Sequence, residues 1–204
     1  MMSKSLQNIC VFCGSSVGNK EIYTSVSKDF AIAMIKKGLK LVYGGGNVGI
    51  MGVLADEFLK TDVEVIGVIP KGLVEKEVVH PEVDHMIITE DMFSRKKTLM
   101  EISDAFVALP GGFGTLDELF EMLVHFQLHI HSKPVAILNI NGFFDHLLEF
   151  IRRTAEDQFI KPQHFKNIIV ESDIDILIER IMNFEAETID GKWIEHLKRD
   201  NVYK

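Results

Sequence analysis

The sequence is short of several things, and each shortage closes off a class of protein. Only two cysteines occur in 204 residues, too few to staple a small secreted scaffold. No apolar run is long enough to span a bilayer. No basic stretch leads into a long apolar segment at the N-terminus, so no signal peptide is expected. The chain therefore reads as cytoplasmic, with no membrane partner. Positive charge is also in deficit: 22 Lys and Arg against 30 Asp and Glu leave a net −8. That balance argues against a broad nucleic-acid footprint, though not against a small anion held by a local cluster. Repeats, low-complexity tracts and linkers are absent too.

What is present suits an ordinary globular domain. The chain is 47% hydrophobic and 25% charged, enough for a sizeable core. The two cysteines form Cys10-Val-Phe-Cys13 inside an apolar, β-rich run. Residues three apart on a strand point to opposite faces, so the thiols would not share a metal or close a disulfide. They read as buried structural thiols.

Short apolar runs alternate with helix-length amphipathic segments. Strands are expected near 8–13, 39–43, 63–69, 85–88, 105–109, 134–139 and 167–170. Helices are expected near 20–37, 48–60, 90–103, 115–130, 143–158 and 173–184. Strands that are apolar throughout fit a parallel sheet covered on both faces. The predicted fold is α/β: a Rossmann-like, doubly wound, mostly parallel sheet of about seven strands with helices on both faces. Residues 1–204 read as one nucleotide-binding domain, with a charged tail from about 185 that carries the only tryptophan, Trp193. That tail reads as a docked or frayed terminus.

In such sheets ligands bind beyond the carboxyl ends of the strands. Three small-residue loops fall there: Gly14-Ser15-Ser16, Tyr43-Gly44-Gly45-Gly46 continuing to Gly49-Ile50-Met51-Gly52, and Pro110-Gly111-Gly112-Phe113-Gly114-Thr115. Three together favour a shared pocket. The spacing matches neither the dinucleotide G-x-G-x-x-G nor the P-loop.

In the third loop glycines let a backbone come close to an anion, and the following helix start supplies free N–H groups. Asp117 and Glu118 would then repel a phosphate held in that cradle. Thr115-Leu116-Asp117-Glu118 also reads as a T-x-x-E capping box, Thr115 capping a helix that starts there. A cap, however, does not need three glycines. Arg95, in Met92-Phe93-Ser94-Arg95-Lys96-Lys97, suits a phosphate or carboxylate; the plainer reading is a solvated basic face. Glu121, His125 and His129 are spaced to share a helix face. H-E-x-x-H is absent, and no metal site is expected.

Taken together these landmarks resemble the LONELY GUY (LOG) family. Pro110 through Glu118 looks like its PGGxGTxxE signature, and Met92-x-x-Arg95-Lys96 is a second match. Val68-Ile69-Pro70-Lys71, Gln127-Leu128, His131-Ser132-Lys133-Pro134 and Leu138-Asn139-x-x-Gly142 also agree in order and spacing. The resemblance spans roughly residues 8 to 160; His125 and His129 depart from it. It implies hydrolysis of the N-glycosidic bond of a cytokinin-type riboside 5′-monophosphate, or of AMP, without a cofactor, in a homodimer. It assigns Glu118 to the sugar and Arg95 as its catalytic partner. Gly111, Gly112, Phe113, Gly114 and Thr115 would hold the phosphate, with Gly14, Ser15 and Gly45 in the same pocket. Met92 and Lys96 would flank the base, and Glu77 would contact substrate. The helix after Thr115 is apolar nearly all round, which a dimer interface would explain. A non-catalytic carrier would keep the glycine loops without needing both Glu118 and Arg95. The lysine decarboxylase label borne by many relatives would require a Schiff-base lysine, and no lysine stands in a context that marks it.

Overall fold

Seven strands form a single sheet in this computed structural model, which describes residues 6–74 and 79–187. In chain order they are β1 (Asn8–Phe12), β2 (Lys40–Tyr43), β3 (Val65–Pro70), β4 (His85–Thr89), β5 (Ala105–Ala108), β6 (Val135–Leu138) and β7 (Ile168–Glu171). Their spatial order is β4-β3-β2-β1-β5-β6-β7, and every pairing is parallel. The expected architecture is therefore borne out.

The helices are α1 (Glu21–Lys36), α2 (Gly49–Phe58), α3 (Lys71–Val74), α4 (Met92–Ile102), α5 (Phe113–Gln127), α6 (Asp145–Glu156), α7 (Pro162–Lys166) and α8 (Ile174–Met182). Two of these, α3 and α7, fall in segments read as loops. Each is barely one turn long, too short for a hydrophobic period to show. None of the described helices is long and apolar enough to cross a membrane.

β1 shows how the sheet is covered. Ile9, Val11 and Cys13 join a core against α1, α2 and α8. Cys10 and Phe12 join the opposite core, with Leu119 and Met122 of α5 and Ile151 of α6. The two thiols are free, buried and on opposite faces. The strand pattern differs from expectation at the edge. β4 has a neighbour on one side only, and it buries just Thr89 fully.

The order reverses between β1 and β5. From β1 the chain winds outward through β2, β3 and β4, then returns to the other side of β1. Neighbouring loops part at such a point, and the crevice lies beyond the carboxyl ends of the two strands. The residues following β1 and β5 are Cys13-Gly14-Ser15 and Leu109-Pro110-Gly111-Gly112, the two loops singled out above.

His131 fastens the turn from α5 into β6. Its Nε2 lies 3.0 Å from the Met122 carbonyl oxygen, and its Nδ1 accepts from the Lys133 N–H at 3.2 Å. That pairing needs the neutral ring. Burial lowers its pKa to about 4, beyond what the Met122 contact restores. The unfolded chain, with an ordinary histidine pKa near ~6.5, binds a proton that the native state refuses. This contribution to stability is thus complete above about pH 6.5 and is lost as pH falls towards 4. Urea midpoints measured at pH 7 and pH 5 should drop in the native sequence and drop less in His131→Gln.

Candidate active site

The three loops are stitched to one another by their backbones. The Gly14 N–H donates to Pro110 O at 3.0 Å, and Ile50 N–H donates to Gly14 O at 3.0 Å. Gly49 adopts φ +59°, and a Cβ there would overlap the Ser15–Ser16 peptide. Only glycine lets the second loop lie so close on the first.

The helix that follows β5 does not begin where its sequence suggested. Gly112 is the N-cap and Phe113 the first helical residue, with no side-chain cap. The earlier start removes the T-x-x-E capping box and moves Asp117 and Glu118 out of the first turn. Leu116 N–H reaches Gly112 O at 3.1 Å. The N–H groups of Phe113, Gly114 and Thr115 are then those that a helix start leaves without intrahelical acceptors. The Thr115 hydroxyl is buried without a hydrogen-bond partner. It lines a cavity of about 180 Å³ with Gly112, Phe113, Gly114, Arg95 and Glu118.

A true capping box stands one helix earlier. Asp91 Oδ1 accepts from Ser94 N–H at 2.7 Å, and Ser94 Oγ accepts from Asp91 N–H at 3.0 Å. The Ser94 hydrogen bonds hold the Asp91 carboxyl below its usual range. This box fixes the start of α4 and so places Arg95 one turn in, within reach of carbonyls at the ends of β2 and β3. Arg95 is 7% exposed. Its Nε donates to Val68 O at 3.0 Å and its Nη2 to Gly44 O at 3.4 Å. Its Nη1 lies 3.6 Å from Glu118 Oε1. Gly44 makes room for this: a Cβ there would overlap Nη2.

Three adjacent basic residues thus have three fates. Arg95 is buried beside Glu118. Lys97 is exposed, 3.8 Å from Glu101, as a solvated face would have it. Lys96 lies between Asp117 at 3.3 Å and Glu121 at 3.2 Å. Burial opposes its charge, but those two carboxylates prevail and raise its pKa. Asp117 therefore answers a lysine, not a phosphate.

Cys13 also lines the cavity. Burial, reinforced by the Glu118 carboxylate, pushes its thiol pKa far up. A thiol so held is not a nucleophile. The charged groups lining the cavity are Glu118 and Arg95.

The other expected residues divide. Gly14 and Ser15 line both this cavity and an adjoining one of about 280 Å³, which also takes in Gly111 and Gly112. Lys96 and Met92 are not among the lining residues. Met92 sits at the rim, its sulfur 3.8 Å from Arg95 Nη1. Gly45 lines neither cavity; a Cβ there would press on Met86 and Ile69, and its carbonyl accepts from His80 N–H. Glu77 and Trp193 lie outside the described residues. Glu121, His125 and His129 do not form one face, because α5 ends at Gln127 and His129 takes φ +57°. Sequence reading missed Met51, Val11 and Cys13 as cavity walls; as apolar residues beside strand ends they read as ordinary core.

Gly111 and Gly112 differ in a way that can be tested. A Cβ on Gly111 would overlap Thr115 Oγ1 and sit 2.8 Å from Gly14 N, whereas one on Gly112 would meet nothing within 4 Å. The fold requires the first glycine and not the second. Gly111→Ala should lower stability by about 1–3 kcal/mol. Gly112→Ala should melt like the native protein yet bind nucleotide about tenfold more weakly, as read by thermal denaturation and isothermal titration.

Comparison with known proteins now bears on this arrangement. A family profile described as "possible lysine decarboxylase" matches residues 51–181. The cytokinin riboside 5′-monophosphate phosphoribohydrolase LOG5 of Arabidopsis thaliana is 41% identical over 162 residues, covering 79% of this chain and 71% of the relative.

This chain belongs to the LOG family.

Another relative, the probable phosphoribohydrolase LOG6 of the same plant, is 44% identical over 170 residues, covering 83% of the LOG-family chain described here and 84% of its own. Solved structures share the fold at lower identity. The molybdenum cofactor binding protein of Rippkaea orientalis superposes with TM-score 0.66 at 22% identity, covering 89% of this chain and 98% of its own. A Moco carrier protein from Chlamydomonas reinhardtii gives 0.65 at 20%, covering 87% and 96%.

Proposed function

We propose that this LOG-family chain hydrolyses the N-glycosidic bond of a purine riboside 5′-monophosphate, cytokinin-type or AMP, to free base and ribose 5-phosphate. One observation carries the reading. A helix start with unpaired N–H groups and an unpartnered buried Thr115 hydroxyl shares one cavity with the Glu118–Arg95 pair. The phosphate would sit on the Phe113, Gly114 and Thr115 amides, where the helix dipole favours it. Glu118 lies one turn on, about 5.4 Å along the axis, comparable to the reach of ribose from phosphate to anomeric carbon.

Departure of the base leaves positive charge on the ring oxygen and anomeric carbon. The Glu118 carboxylate faces that charge and orients a water towards the carbon. The water oxygen bonds to C1′, the C1′–N bond breaks, and a proton passes from the water to the departing base. Arg95 sets the direction of the carboxylate and keeps it ionised.

Decarboxylation through a lysine Schiff base finds no support in this site. No lysine lines the cavity, and Lys96, next to Arg95 in sequence, has its ammonium form stabilised by two carboxylates. A carrier of the same fold would have no use for a charged pair aimed into the cavity.

The test is direct. Incubation with AMP, and in parallel with N6-isopentenyl-AMP, should give free base and ribose 5-phosphate in equal amounts. Tight binding without release of base would replace hydrolysis with carriage. IMP and GMP complete a panel that ranks the bases.

The reading extends to a cytoplasmic homodimer. Of the apolar residues of α5, Leu119, Met122 and Phe126 are buried in the chain's own core and Leu116, Phe120 and Leu123 pack against it. That helix alone therefore does not demand a partner. The helix starts offer more: Phe113, which lines the cavity, is 93% exposed, and Met92 and Phe93 at the start of α4 are 39% and 80% exposed. A second copy covering them would also close the site. Light scattering should give twice the chain mass; a monomer mass overturns the dimer.

A further inference from the structure

The carbonyl that receives Arg95 Nη2 belongs to the first of three consecutive glycines, Gly44-Gly45-Gly46. Such a stretch has no side chains with which to hold itself, and glycine has more backbone freedom to lose than any other residue. Gly45 takes φ +80°. The loop is therefore only as fixed as the groups that grip it from outside. Arg95 Nη2 reaches Gly44 O at 3.4 Å, a long contact that does not fix a peptide by itself.

A second grip comes from Val79 and His80. Gly46 and Val79 form an antiparallel bridge, and His80 N–H donates to Gly45 O at 3.1 Å. Pro81 follows, and the residue before a proline is biased to extended backbone. The pair is thus disposed to lie along the glycines as a strand would. The His80 side chain then pins it in place. The imidazole is buried, 3% exposed. Its Nδ1 accepts from Glu82 N–H at 3.4 Å, so the ring proton sits on Nε2, 3.2 Å from Asp56 Oδ1. A buried N–H without an acceptor is costly, and Asp56 supplies one. Asp56 stands in the last turn of α2, where a carboxylate opposes the helix dipole. It gives the helix nothing there; what it meets is His80.

We propose that His80 is a positioning residue for Arg95. Tied to α2 through Asp56, it holds Val79 and His80 against Gly45 and Gly46, and so sets the direction of the Gly44 carbonyl. That carbonyl receives Arg95 Nη2, and Nη1 of the same rigid fork lies 3.6 Å from Glu118. A turn of the Gly44 peptide moves the fork, and its aim at Glu118 moves with it. His80 does not line the Glu118 cavity; it acts through Gly44 and Arg95. The consequence for catalysis rests on the reading of Glu118 and Arg95 as the reacting pair, whereas the positioning itself can be followed without turnover.

Three variants test it. His80→Ala removes the pin. Asp56→Ala takes the acceptor from Nε2–H at a side chain that is 63% exposed, so the core is spared. Asp56→Asn keeps an oxygen that can accept. Well below the melting temperature, both alanine variants should lower kcat for release of base from AMP about 10–100-fold, with KM within about twofold. Asp56→Asn should recover most of that loss. The Arg95 Nε–H resonance, identified in nitrogen-15 spectra by its disappearance in Arg95→Lys, reads the placement directly. It should shift and exchange with solvent severalfold faster in both alanine variants, and stay near its native position in Asp56→Asn. An unmoved resonance in the alanine variants overturns the proposal whatever the turnover. A shifted resonance with native kcat overturns it too, as does a loss equally deep in Asp56→Asn. A native protein that releases no base refutes the reaction, and the resonance alone then decides the positioning.

Discussion

Glu118→Gln should slow base release by about three orders of magnitude and leave nucleotide affinity within about threefold. The substitution keeps shape and hydrogen-bonding reach and removes only the charge. Charge is what the step needs, because the ribose becomes cationic as the base departs. The Glu118 side chain is only 13% exposed, and an electrostatic contact shielded from water is stronger than one in bulk. The phosphate is held one turn away by backbone N–H groups that the substitution does not touch, hence the retained binding. Single-turnover release of base and equilibrium binding, measured on the same preparation, separate the two quantities. Turnover within tenfold of the native rate would remove Glu118 from the chemistry. A parallel loss of binding would make it a substrate anchor.

Why an acid follows a phosphate cradle was the question the sequence posed, and the structure divides it. Asp117 points to Lys96, and Glu118 points to Arg95. Neither arrangement was legible from spacing alone, because Lys96 and Arg95 are adjacent and either could have met either acid. The sheet was far more legible. Seven apolar runs punctuated by small-residue loops carry a parallel α/β fold almost unaided, since the inner strands are covered on both faces and need no alternation, the edge strand β4 being the exception. Helix starts were less so. Thr115 and Glu118 have the residue types of a capping box, yet the helix begins two residues earlier, at Phe113, behind an N-cap, Gly112, that has no side chain to offer. Asp91 and Ser94 form the real box, with a serine where the sequence pattern expects Glu or Gln. Lys96 and Gly45 were carried to the site by resemblance; in space Lys96 lies between Asp117 and Glu121, and Gly45 packs against Met86 and Ile69. Phe113 opens the helix that follows the loop it was grouped with, and its ring is 93% exposed.

Arg95→Ala should abolish measurable turnover and also lower stability by about 1–3 kcal/mol, since the side chain serves two neighbours. It gives Val68 O and Gly44 O their donors, and it is the cation facing Glu118. Truncation leaves two carbonyls unsatisfied and a shielded carboxylate without its counter-charge, so the carboxylate protonates more readily. A protonated Glu118 can neither stabilise an oxocarbenium-like ribose nor orient water for attack. Arg95→Lys separates this account from simple unfolding. It retains a cation but not the fork that reaches Val68, Gly44 and Glu118 together. Its turnover should stay far below that of the native enzyme while its melting temperature falls less than that of Arg95→Ala. Gly44→Ala provides an independent displacement, because its methyl would overlap Nη2 without altering any charge. It should reproduce the loss of turnover with Arg95 still in the sequence. Full activity in Gly44→Ala, or an effect of Arg95→Ala confined to KM, would make Arg95 a binding group and leave Glu118 to act without it.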